Sequence, residues 1–227
     1  MTAPQDPSRR TMFAAALLPG LDRLLEAFTG SSGSWNEWFR AVRHDDVNRC
    51  RSLIARGFDV NTLDADRFDT GLIIAVRERS TKVFRLLLDT PGINVDARSR
   101  NGDTALMVAA FLSDAVAVQV LLERGAEVNR PGWTPLHYAA SSGGVLVIRL
   151  LLDHDAYIDA ESPNKTTPLM MAARAGRREA VQYLLDEGAD LSLKNDAGLN
   201  ASDFARAQGH VDIAANLDAR LQQAARP

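Results

Sequence analysis

One cysteine, Cys50, and four histidines are all that this chain of 227 residues offers for disulfide or soft-metal chemistry. A lone thiol cannot close an intramolecular disulfide, so cysteine usage leaves the redox compartment open. Long apolar runs are missing too. Hydrophobic residues make up 46% of the chain, but they lie in short clusters, none of which approaches the roughly 20 residues a membrane helix needs. Positive charge is not in excess: 26 Lys and Arg against 29 Asp and Glu leave a net charge of −3. That balance gives no general attraction to phosphate backbones, and nucleic acid is not expected as a partner. The spacings that announce catalysis are also lacking. There is no phosphate-binding Gly loop, no His-Glu-x-x-His, no Gly-x-Ser-x-Gly and no cysteine pair. No catalytic, cofactor-binding or metal-binding residue is assigned.

What the chain does contain is a unit that recurs. Gly132 to Asp159 reads as two short helices. Thr134 suits an N-cap because its hydroxyl can accept from a first-turn N–H, and Pro135 at the first helical position gives up only a donor that would be orphaned anyway. Ala139 and Ala140 keep the first helix slim, Gly143-Gly144 supplies a residue free to take positive φ where that helix stops, and Val147, Ile148, Leu150, Leu151 and Leu152 form the apolar side of the second. Slid along the chain, the unit finds Thr70, Thr104, Thr134, Thr167 and Asn200 at the cap position, 34, 30, 33 and 33 residues apart. After each second helix stands a turn closed by a polar residue: Asn61, Asp96, Asn129, Asp159 and Ser192.

Thr134-Pro135-Leu136-His137-Tyr138-Ala139-Ala140 and Thr167-Pro168-Leu169-Met170-Met171-Ala172-Ala173, at a period near 33, resemble the ankyrin repeat. The resemblance covers roughly Trp35 to Asp218 as about six units of bacterial type. It implies an all-α solenoid of stacked helix-turn-helix units joined by short β-hairpin loops, acting as a non-enzymatic module for protein–protein interaction. The Trp, Leu-Gly and Tyr landmarks of a tetratricopeptide array of similar period are absent. Among the heads, the family's His appears only as His137; Phe39, Ile73, Met107, Met170 and Asp203 take its place elsewhere. The loop Arg130-Pro131-Gly132-Trp133 is three residues short, so its finger should be stunted. His44, His137, His154 and His210 fall at four different positions of the frame, and stacking does not line them up as metal ligands. Asp64-Ala65-Asp66-Arg67-Phe68-Asp69 has a calcium-loop cadence but puts Asp69 where a Gly is needed and Ala75 where the closing Glu belongs, so a solvated hairpin tip is expected.

Stacked units must hide their apolar faces jointly. Leu106, Leu136 and Leu169 are the expected anchors from first helices, and Leu53, Ile54, Leu86, Leu87, Leu121, Leu122, Leu150, Leu151, Leu184 and Leu185 those from second helices, with Cys50 in a core position. In the last unit Ser202 replaces the head Leu, as in a terminal cap, and Ser202→Ala is expected to be nearly neutral or stabilising.

The ends divide the chain into an N-terminal extension (1–34), the array (35–218) and a polar C-terminal tail (219–227). Two readings of the extension stand open. Ser8-Arg9-Arg10-Thr11-Met12-Phe13 before Ala14 to Leu18 resembles the opening of a twin-arginine export signal. Alternatively, Leu17, Leu21, Leu24, Leu25 and Phe28 make one side of an amphipathic helix that covers the first unit, followed by a Gly/Ser linker. The protein is accordingly cytoplasmic, or periplasmic as an exported accessory or protective factor supporting another enzyme.

Recognition in this family uses the loop tips and the concave face of the first helices. There Phe111, Leu112 and Trp133 break the rule that solvent-facing positions are polar, which marks an interaction patch. With Arg77, Glu78, Asp103 and Arg174 around it, this patch is the expected site for a protein partner of a monomeric chain. The competing expectation is that Trp133 folds onto Phe111 as local core.

Overall fold

The computed structural model describes residues 33–224, so both readings of the N-terminal extension lie outside the described residues. The chain forms paired helices. α1 occupies 33–43 and α2 Val47–Ala55; α3 (Gly71–Arg77) pairs with α4 (Thr81–Leu88), and α5 (Ala105–Phe111) with α6 (Ala115–Glu123). Then come α7 (Pro135–Ser142) with α8 (Val145–Leu152), α9 (Pro168–Arg174) with α10 (Arg178–Asp186), and α11 (Ala201–Ala207) with α12 (Val211–Ala224). The first helices α5, α7, α9 and α11 stack as one layer, and second helices stack behind them. This is an all-α solenoid.

Local chemistry explains where each unit begins. The hydroxyls of Thr70, Thr104 and Thr167 accept from the N–H groups of Ile73, Met107 and Met170, and the Asn200 side chain accepts from Asp203. Each fills one orphan donor of a first turn. Between α7 and α8 the chain turns through Gly143 at φ +84°, whose N–H closes on the Ala139 carbonyl; a β-carbon there would also meet the Arg177 side chain at 2.9 Å. Ala109, Ala110, Ala139, Ala140, Ala172 and Ala173 are fully buried where first helices touch, so small side chains set the close approach.

The anchors divide unevenly. Leu106, Leu136 and Leu169 are buried as expected, but of the paired second-helix residues Leu53, Leu87, Leu121, Leu151 and Leu184 take the core centre. Ile54, Leu86, Leu150 and Leu185 lie half-buried against it, turned about 100° away from their neighbours, while Leu122 is buried along with Leu121. Cys50 is buried in α2, where burial and the nearby Asp46 and Asp45 push its thiol up to about 12, well away from a reactive thiolate.

The fingers are reduced hairpins. Among the described residues the pairing is an isolated antiparallel bridge, Leu63 with Thr70, and no named strand forms. Each of four fingers is closed by one backbone bond, from Asp64, Ser99, Ser162 and Asn195 to the carbonyls of Asp69, Asp103, Thr166 and Leu199. The same four side chains accept from N–H groups of their own loops. The short loop Arg130–Trp133 has no residue at that position.

The polar residues that end each turn tie one unit to the next. Asn61 accepts from Asn94 N–H and donates to the Gly92 carbonyl, both at 2.8 Å. Asp96 accepts from Glu127 N–H, Asn129 accepts from Tyr157 N–H and donates to the Asp155 carbonyl, and Asp159 accepts from Asp190 N–H. A side chain in one unit thus satisfies main-chain groups of its neighbour.

Two expectations need amending here. The tip residues 65–68 are exposed, but Asp64 and Asp69 beneath them are not solvated: they are 4% and 1% exposed, held by Arg43 at 3.2 Å and Arg77 at 3.2 Å respectively. Only a folded finger can bring those arginines to them, which composition alone does not show. Ser202 is also more than a filler. Buried in α11, its hydroxyl donates to Asp218 and to the Ala214 carbonyl, and Arg206 bridges Asp218 and Asp203. Ser202→Ala is therefore expected to destabilise by about 1 kcal/mol, the ordinary worth of a buried hydrogen bond, measured by urea unfolding. α12 continues through 219–224, part of the segment assigned to a polar tail, and Arg220 donates to Gln182 at 2.7 Å.

Candidate functional site

On the first-helix face a groove of about 310 Å³ opens between three successive units, lined by Phe111, Trp133, His137, Tyr138, Ser141, Met171 and Arg174. Helical spacing puts these residues together. Tyr138 and Ser141 stand one turn apart on α7, and Met171 and Arg174 one turn apart on α9. Phe111 ends α5 at 54% exposure, its ring edge-on to Tyr138 at 6.4 Å. Trp133 precedes the Thr134 cap at 38% exposure, its ring edge-on to His137 at 5.2 Å. Each aromatic leans on α7 and leaves much of its surface to solvent.

The groove floor is electrically quiet. His137 Nδ1 accepts from Thr134 N–H at 3.1 Å, and Nε2 donates to the Thr166 carbonyl of the next unit at 2.8 Å. Burial pulls its pKa down to about 4, only partly opposed by the bond to Thr166, so the ring is neutral near pH 7. In other units the same slot is filled by a different acceptor: Met170 sulfur receives Thr167 N–H, and Asp203 carboxylate receives Asn200 N–H. Tyr138 hydroxyl donates to Asp103, and burial together with that bond pushes its pKa well above the ordinary phenol value, so it stays protonated.

The remaining expected site residues fall in different places. Arg174 is exposed on the groove wall. Leu112 is half-buried against the core and does not line the groove, since it follows Phe111 by one helical step. Asp103 is half-buried and committed to Tyr138. Arg77 neutralises the buried Asp69, whose carboxyl burial raises above the usual range, while Glu78 caps α3 in solvent. A loss of binding on truncating Arg77 would thus be confounded by an unpaired buried carboxylate. Tyr138 and Met171 are not among the expected residues; the signal that finds them is position, one turn before the last-turn residues Ser141 and Arg174 of the same helices.

A larger groove, about 410 Å³, lies on the second-helix side among Val145, Arg178, Glu179, Tyr183 and Ile213. Arg178 there is already paired with Asp212, and no exposed aromatic ring of the kind seen at Phe111 and Trp133 marks it. Among the described residues no group of three or more His, Cys, Asp or Glu side chains is placed to hold a metal ion, and no helix is long and apolar enough to cross a membrane.

The family model described as ankyrin repeats (3 copies) matches residues 38–131 and 117–195. The chain is 32% identical over 165 residues to human SH3 and multiple ankyrin repeat domains protein 2, an alignment covering 70% of this chain and 9% of that protein. It is 29% identical over 184 residues to the mouse B-cell lymphoma 3 protein homolog, covering 78% and 41%. It is 29% identical over 162 residues to human transient receptor potential cation channel subfamily A member 1, covering 66% and 14%. The chain thus spans less than half the length of each of these relatives.

Proposed function

The chain belongs to the ankyrin repeat family, and from that premise we propose that it is a non-enzymatic module that holds one protein partner on its concave face, centred on the groove between α5, α7 and α9. The observation that carries this reading is the pair of large rings, Phe111 and Trp133, left open to solvent around a groove whose polar floor is already satisfied. Exposed aromatic residues grouped in a concavity are the usual anchors of protein interfaces. The binding unit is residues 35–218, acting as a monomer.

The test is Trp133→Ala in the full chain. Affinity for the natural partner, identified by co-purification, is expected to fall about thirtyfold, the consequence of losing roughly 2 kcal/mol from an interface-centre Trp. Because the ring rests on His137 without being enclosed, the melting temperature should move by only a few degrees. A large drop in melting temperature would make Trp133 a core residue, and unchanged binding would move the site elsewhere on the array.

A second reading, an exported accessory or protective factor supporting another enzyme, is favoured by Arg9-Arg10 ahead of the apolar Ala14 to Leu18. Sequencing the mature N-terminus decides it: a start near Trp35 supports export, and retention of 11–28 excludes it.

A further inference from the structure

We infer, building on the groove as the binding site, that its occupant is an extended segment of the partner carrying a bulky apolar side chain two positions from a carboxylate side chain. The volume, about 310 Å³, is at the bottom of the range for ligand pockets, roughly 300–1,000 Å³, which suits one large side chain better than a cofactor. Its walls are the rings of Phe111, Trp133 and Tyr138 and the thioether of Met171, so that side chain is apolar.

The charge requirement comes from what is left over. His137 is neutral and bonded at both nitrogens, Tyr138 is given to Asp103, and the Ser141 carbonyl receives Arg177. Arg43, Arg77 and Arg130 each have an acid, Asp64, Asp69 and Glu127, whereas Arg174 has no ion-pair partner among the described residues. A guanidinium on the rim of an apolar groove pairs strongly and in planar, two-pronged fashion with a carboxylate once water is displaced. A single cation among aromatic rings lacks the basic stripe that a nucleic acid requires.

The spacing follows from geometry. Packed helices lie about 8–10 Å apart, which separates the Tyr138 ring on α7 from Arg174 on α9. In an extended chain, residues two apart share a face at about 6.6 Å, and the length of the arginine side chain closes the difference. The loop Arg130–Trp133 is three residues shorter than its counterparts, and Trp133 at its end is 38% exposed on this side of the groove.

The experiment selects a displayed random-peptide library on the full wild-type chain and measures the best peptide by fluorescence anisotropy against wild type, Arg174→Glu, Arg174→Gln and Trp133→Ala. Selected peptides should place Phe, Trp or Leu two positions from Asp or Glu. Arg174→Glu should weaken binding about tenfold or more, as reversal of a desolvated charge pair does, and replacing the peptide's acid by Lys should restore it. Arg174→Gln, which adds no repulsion, should give a smaller loss in the same direction with an unchanged melting temperature. Recovery of no peptide, or of peptides that lack an acid and bind every Arg174 variant equally, overturns the inference. If such acid-indifferent peptides still lose binding on Trp133→Ala, the groove stands and only its occupant was misassigned; if they keep it, the groove falls as well.

Discussion

Leu136→Ala is expected to lose about 2–5 kcal/mol of stability in urea at neutral pH, out of about 5–15 for a whole domain. Leu136 is completely buried in α7, and α7 is stacked between α5 and α9, so the cavity would open in the middle of the array. In a quasi-one-dimensional stack each unit is stabilised chiefly by its two neighbours. Damage at the centre therefore weakens two interfaces at once and should also broaden the transition, as the flanking segments begin to unfold separately. The comparison is Ser202→Ala, whose loss should be several times smaller. Equal losses in the two variants would mean that position in the stack does not govern stability.

Acid should destabilise this protein through His137. The folded ring has a pKa near 4 because burial disfavours the imidazolium, against 6.5 for the unfolded chain. The native state binds fewer protons, so the stabilisation is complete above pH 6.5 and disappears as pH falls from 6.5 to 4, by about 3 kcal/mol in all. Asp69 works the other way, since its raised folded pKa favours the native state as protons are added. Comparison with His137→Gln removes that contribution, which both proteins share. A glutamine oxygen can accept Thr134 N–H much as Met170 and Asp203 serve their own caps. The wild type should lose about 3 kcal/mol more than His137→Gln between pH 7 and 4. Parallel losses would show that some other group titrates.

The repeat could be read from the sequence because its signals are local. A Thr followed by Pro, a pair of alanines and a Gly at the turn each express a backbone requirement, and the helices start and stop there. The groove was legible in part. Phe111 and Trp133 violate solvent polarity one residue at a time, so they stand out; Tyr138 and Met171 do not, because a head position can face either core or concavity. Leu112 is misleading for a related reason: it follows Phe111 by one helical step, about 100° round, and is turned back against the core. Asp64 and Asp69 were illegible as buried groups. Their solvation is replaced by Arg43 and Arg77, 21 and 8 residues away in sequence, and no local pattern encodes that pairing.

The joints at Asn61, Asp96, Asn129 and Asp159 bear on how such a chain can change length over evolutionary time. Each grips main-chain atoms of the following unit, and main-chain atoms are the same whatever residue is present. A duplicated or excised whole period would thus arrive with both halves of its fastening intact, whichever unit it came to adjoin. Gains and losses of other sizes can be taken up in the finger without unfastening anything, as Arg130 to Trp133, three residues shorter than its counterparts, already shows.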